Sequence, residues 1–203
     1  NFAVDDHGDL RIIGNQSPRY RYGVNLSARW NGIGLSVFLQ GVGARDWYPG
    51  SDAGMFWGKY GRPFFALIPS IHNYTDDMYS AERNNWDTAY WPRMTTYQSN
   101  GTKNWTRLLE IPNTRYIQSA AYLRVKNIQL DYSFPKHICS AIRLQGLKIY
   151  VNAENLFTFT PLHKYAPNFD PEGLSYDSDF ASAADGYTYP ILKSVTVGVN
   201  ITF

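Results

Sequence analysis

The sequence predicts an all-β chain, an antiparallel segment of a transmembrane β-barrel with long extracellular loops. Three observations predict it. Wherever the 203 residues show a period it is two, the period of a strand with two unlike faces. Connections between the periodic segments alternate between short and very long. The polar faces carry arginines and a glutamate in mid-strand, which suits a wet lumen better than a packed core.

The first strand, 18–30, sets Tyr20, Tyr22, Val24, Leu26, Ala28 and Trp30 against Arg19, Arg21, Gly23, Asn25, Ser27 and Arg29. Asn31-Gly32 follows, a pair that accepts the positive φ of a type I′ hairpin turn. The second strand, 33–42, continues with Ile33, Leu35, Val37 and Leu39 on one face. From 43 to 121 no alternation is sustained. This loop holds five of the six tryptophans (Trp47, Trp57, Trp86, Trp91 and Trp105), and its length points to function rather than to a plain connection. The third strand, 122–134, aligns Ile128, Leu130, Tyr132 and Phe134, but Leu123 and Val125 lie on the other parity. A bulge near Lys126-Asn127 reconciles the halves, and Pro135 ends the strand. After a turn containing Cys139, the strand 147–157 sets Leu147, Ile149, Val151, Ala153 and Phe157 against Lys148, Tyr150, Asn152 and Glu154. A polar loop, 158–190, leads to the last strand, 193–203. No helix with caps and no internal repeat is read.

Strands near ten residues match a tilted span of the hydrocarbon layer, and aromatics at their ends match interfacial girdles. The alternative is a secreted β-sandwich of carbohydrate-binding type, which alternates in the same way. Asymmetric loops, mid-strand charge and the strand count favour the barrel. Five strands cannot enclose a polar lumen and would leave two open edges in lipid, so the chain reads as a piece of a barrel. Phe203 then ends a strand whose second partner is the first strand of the barrel. The net charge of +2 gives no electrostatic case for nucleic acid. The single cysteine, Cys139, excludes an intrachain disulfide and reads as an incidental free thiol. No apolar run approaches the length of a transmembrane helix. "NFAVDDHGDL" lacks a signal-peptide pattern, so the leader of an exported protein would lie outside these residues.

The runs "GDLRIIGNQSPRYRYG", "SVFLQGVGARDWY", "YLRVKNIQLDYSFP", "LKIYVNAENLFTFT" and "YPILKSVTVGVNITF" resemble the carboxy-terminal portion of SusC/RagA-type TonB-dependent transporters. The resemblance covers the five strands and their flanks and is weak through 43–121. It implies the last five strands of an outer-membrane barrel of about 22 strands. It also implies a plug domain outside this chain, a SusD-like lipoprotein acting as a surface lid, and TonB engaging the absent amino-terminal part. The cargo it implies is an oligosaccharide or peptide. By the same analogy Asn31-Gly32 and 135–146 are periplasmic turns, and 1–17, 43–121 and 158–190 lie at the cell surface. The terminal aromatic resembles the signal read by barrel-assembly machinery.

No catalytic constellation is read. His7, His72, His137 and His163 are scattered, and neither G-x-S-x-G nor H-E-x-x-H occurs. No cofactor and no metal are expected; Asp170, Glu172, Asp177 and Asp179 read as solvated loop charge rather than a Ca²⁺ loop. The ligand-binding candidates are Asp46, Trp47, Tyr48, Trp57, Trp86, Tyr90, Trp91 and Trp105, because sugar CH faces stack on such rings and hydroxyls pair with such polar groups. The same residues equally suit a mini-core or an interface with the lid. Arg19, Arg21, Arg29, Lys148 and Glu154 on the polar faces are expected to pair with one another or with the plug rather than guide substrate.

Overall fold

The computed structural model describes residues 11–48, 79, 81–91, 112–167, 169–174 and 191–203. It contains one five-stranded antiparallel sheet, β1 (Arg19–Trp30), β2 (Ile33–Ala44), β5 (Tyr122–Ser133), β6 (Gly146–Phe159) and β7 (Ser194–Thr202), paired in that order. β3 (Asp46–Trp47) and β4 (Gln118–Ser119) form a separate two-stranded ladder. The chain divides into two compact units. One takes Pro18–Ala44, Ala121–Thr160 and Pro190–Phe203; the other takes Asn1–Ser17, Arg45–Ala120 and Pro161–Tyr189.

The sheet unit is ordered by its register. Asn31 and Gly32 have φ of 46° and 87°, the left-handed pair that a type I′ turn needs. That turn fixes Trp30 opposite Ile33, and every row beyond it. One face carries the rows Ala28–Leu35–Leu130–Val151–Val197 and Trp30–Ile33–Tyr132–Ile149–Val199 across all five strands. The opposite face carries Ser27–Ser36–Gln129–Asn152–Thr196 and Arg29–Gly34–Asp131–Tyr150–Gly198. Register shifts fall at Phe38/Leu39 and at Val125/Asn127, so Lys126 is the extra residue. The bulge returns Leu123 and Val125 to the apolar face.

The apolar face is not a core. Leu35, Leu130, Val151 and Val197 are all exposed, Val197 to 73%. Each such side chain left in water forgoes ~1.5–3 kcal/mol of burial, and a continuous face of them exceeds what a soluble monomer exposes. A partial barrel in lipid meets both conditions, since hydrocarbon is the solvent for this face. Among the described residues no helix is long and apolar enough to cross a membrane, which says nothing about crossing by strands.

One expectation is corrected. The connection after Pro135 is not only a turn but a six-residue helix, α1 (Lys136–Ala141), with no side-chain cap and with Cys139 buried. Pro135 sits at its amino-terminal boundary with φ of −59°. Six residues are too few to show a 3.6-residue period, so pattern alone does not reveal such a helix. A 3₁₀ turn at Pro161–Lys164 was unread for the same reason.

Candidate functional site

The polar face of the sheet holds a charge cluster built from three strands. Asp131 on β5 is 7% exposed at its side chain. Its Oδ1 accepts from Arg29 Nη2 on β1 at 2.9 Å and lies 3.2 Å from Lys148 Nζ on β6. Arg29 Nη1 also donates to Ser133 Oγ at 3.1 Å. Gly34 on β2 makes this reach possible, because a Cβ there would crowd both the Asp131 carboxylate and the Arg29 guanidinium. Two cations thus share one anion. Farther along the face, Ser194 Oγ donates to Glu154 Oε2 at 3.1 Å. Replacing Asp131 with alanine leaves two like charges without their acceptor. The expected result is a modest loss of stability, limited by water screening because Arg29 is half-exposed. It should appear as a lower temperature for loss of the compact, heat-modifiable band of the full-length protein in detergent electrophoresis. Asp131→Asn, which retains an acceptor, should lose less.

The second unit is held by aromatic rings. Its core contains Trp47, Tyr48, Trp91, Tyr116, Leu162, Phe169 and Leu174, with Tyr90, Ile117 and Tyr165 packed against it. Tyr90 stacks on Tyr165 at 3.6 Å between centroids and presents an edge to Trp91 at 4.7 Å. Trp91 stacks on Tyr116 at 5.5 Å, and Trp47 meets Phe169 at 5.1 Å. Such ring pairs add ~0.5–1.5 kcal/mol each beyond area burial. Two of the phenols have partners: Tyr90 Oη donates to the Arg115 carbonyl at 2.8 Å, and Asn113 Nδ2 donates to Tyr48 Oη at 3.1 Å. Burial, with smaller contributions from the Tyr165 and Tyr116 phenols, pushes Tyr90 up to about 12. Burial, then the Tyr116 and Tyr90 phenols, raises Tyr48 further. Both phenols stay neutral at physiological pH.

Arg45 ties three segments of this unit together. It is 4% exposed, and its Nε donates to the Gln16 carbonyl at 3.1 Å. Nη1 donates to the Pro171 carbonyl at 3.0 Å and Nη2 to the Leu174 carbonyl at 2.7 Å.

The eight candidate residues fall in different places. Trp47, Tyr48 and Trp91 lie inside the core, at 3%, 7% and 1% exposure, with protein rings against Trp47 and Trp91. Tyr90 is partly buried at its margin. Asp46 sits in β3, where its Oδ2 accepts from the Asn15 N–H at 2.8 Å. Trp86 is 73% exposed in the turn region 81–88. Trp57 and Trp105 lie outside the described residues. Arg45, Tyr116, Tyr165 and Phe169 join distant segments and carry no local sequence signal. In sequence Asp131 is one polar-face residue among several. Among the described residues no three His, Cys, Asp or Glu side chains are grouped as a metal site.

Both units have counterparts in known proteins. The curated relatives are TonB-dependent receptors, and the structural neighbours are peptide importers. No protein-family model matches the chain. TonB-dependent receptor P3 of Formosa agariphila is 25% identical over 201 residues, covering 96% of this chain and 17% of that receptor. TonB-dependent receptor P39 of the same organism is 24% identical over 204 residues, covering 100% of this chain and 18% of its own length. More particularly, the fold matches the RagAB peptide transporter with a TM-score of 0.59 at 18% identity, over 96% of this chain and 18% of that one. The open-open state of the RagAB peptide importer matches with a TM-score of 0.58 at 19% identity. The resemblance to SusC/RagA-type TonB-dependent transporters thus holds in sequence and in fold. The sheet is a partial barrel, and the chain spans under one fifth of its curated relatives.

Proposed function

We propose that this chain is the carboxy-terminal part of an outer-membrane, TonB-dependent active importer of oligosaccharides or peptides in a Gram-negative cell. The single observation that carries the reading is the two-faced sheet: uninterrupted apolar rows outside, and a polar, charged wall inside centred on Asp131. A sandwich module would need a second sheet over the apolar rows. The other ladder among the described residues has two residues per strand. The relatives' names support receptor and importer rather than enzyme. In this reading β7 closes the barrel against its first strand, a plug fills the lumen, and TonB acts through the absent amino-terminal part. A SusD-like lipoprotein covers the surface side; the pairing in RagAB supports that partnership by analogy. Residues 43–121 and 158–190 are the surface loops, in which Trp86, Asp46, Trp57 and Trp105 are the ligand contacts to test first. Trp47, Tyr48, Tyr90 and Trp91 would act by holding the loops in shape.

The test is deletion of the full gene, with growth measured on single glycans and on peptides as sole nutrient. The expected result is loss of growth on one nutrient class, restored by the intact gene but not by a TonB-uncoupled strain. Full-length protein in the soluble fraction, or unchanged growth on every glycan and peptide offered, would sink the reading.

A further inference from the structure

The apolar face of the sheet is not uniform. Beside the short connection 134–145 it holds a groove of about 330 Å³ lined by Ile33, Leu130, Ile149, Val151 and Val197, with Asp131, Tyr132 and Tyr150 also along it. The groove crosses four paired strands, so its shape is fixed by the register. The Tyr132 ring in its wall meets Phe134 edge to face at 5.0 Å, which carries the apolar path to the residue before Pro135.

The chain beyond that path changes character. From Phe134 to Leu147 it carries Lys136, His137 and Arg143, and no aspartate or glutamate. Lys136 and Arg143 are exposed on and just after α1. Between them Ile138 and Ile142, four residues apart, are 40% and 54% exposed. Arg143 has φ of 58°, a conformation in which glycine is the easier residue. Paired isoleucines beside unopposed cations make little sense in water. They fit a bilayer boundary, where apolar side chains enter the acyl region and cations stay at the phosphate level.

We propose that this corner of the barrel is a binding site for an anionic glycerophospholipid of the adjoining leaflet. One acyl chain lies in the groove over Val151 and Val197, and the phosphate is held by Lys136 and Arg143. The proposal rests on the reading that this face meets a membrane. The lipid is anionic because the connection 134–147 is cationic and carries no carboxylate, while Asp131 along the groove is taken up by Arg29 and Lys148 on the polar face, and it is a lipid because the groove is continuous with the exposed apolar rows.

The experiment uses the full-length transporter purified in mild detergent, with native mass spectrometry after addition of phosphatidylglycerol or phosphatidylcholine of matched chains. Wild type should retain phosphatidylglycerol roughly thirtyfold more than phosphatidylcholine, the scale expected of two cations at an anionic headgroup. Lys136→Glu with Arg143→Glu should abolish that preference. Val197→Trp, which fills the groove, should lower retention of both lipids several-fold. Equal retention of the two lipids by wild type would overturn the site, as would unchanged phosphatidylglycerol retention in both variants, or a dimer covering the groove in place of lipid. A protein that never enters the membrane fraction would overturn this inference and the transporter reading together. Membrane-inserted protein that binds both lipids alike would overturn this one alone.

Discussion

Replacing Arg45 with methionine is expected to unravel the aromatic unit while leaving the strand sheet folded. The side chain is nearly inaccessible and donates from three nitrogens to carbonyls of Gln16, Pro171 and Leu174. These acceptors belong to segments 29, 126 and 129 residues away, so no local turn brings them together. Methionine matches much of the bulk but donates nothing. Each lost bond to a charged donor costs ~1.5–3 kcal/mol, and the carbonyls left without a donor add to that. A total on the order of 5–9 kcal/mol is comparable to the whole stability of a small domain. The measurement is limited proteolysis of intact cells carrying the full-length protein. Cleavage within 45–120 and 161–189 should rise at least tenfold, on the order expected once the unit spends appreciable time unfolded, while 121–160 stays protected. The heat-modifiable band that reports the barrel should survive. Arg45→Lys should recover little, because one ammonium cannot span three acceptors held by a planar fork. Cleavage equal to wild type in the methionine variant would show that the ring core alone holds the unit.

Arg45 also marks where pattern reading ends. The strands were legible because alternation is a local signal: Val195, Val197, Val199 and Ile201 declare one face within seven residues. The bulge at Lys126 was legible from a conflict of parity, since Leu123 and Val125 could share a face with Ile128 and Leu130 only through an extra residue. The Arg29–Asp131 pair was half legible. Each residue belongs visibly to a polar face, but their meeting depends on β5 pairing with β2 across 102 residues of sequence. The loop unit has no period to read. Its aromatics announce that something must be packed or bound, yet Trp91 at 1% exposure and Trp86 at 73% are indistinguishable in composition. Burial there is decided by long-range partners, Tyr116 and Tyr165 for Trp91, that no spacing rule encodes.

Replacing Gly41 with alanine should impair the sheet more than its size suggests. Gly41 lies on β2 opposite Tyr22 of β1 and Leu123 of β5. A Cβ there would overlap the Tyr122 carbonyl oxygen and the end of the Tyr22 ring. The ring crosses the glycine so that Tyr22 Oη donates to that same carbonyl at 3.2 Å, joining three strands at one point. A methyl group therefore removes the crossing and pushes on backbone that the β2–β5 ladder holds in place. Overpacking of this kind costs ~1–3 kcal/mol, and the lost hydrogen bond ~0.5–1.5 kcal/mol. In a barrel the error is felt before closure, because misregistered strands expose unpaired edges to lipid. The measurement is the fraction of full-length Gly41→Ala protein reaching the outer membrane in heat-modifiable form, expected to fall several-fold. Gly146→Ala is the internal comparison: its Cβ would meet only the Thr202 side chain, at 3.6 Å, an ordinary contact, and assembly should be near wild type. Adding Tyr22→Ala to Gly41→Ala separates the two obstructions. If the double variant assembles normally, the ring was the obstacle. If it does not, the Tyr122 carbonyl is, and the requirement for glycine comes from the backbone of the neighbouring strand.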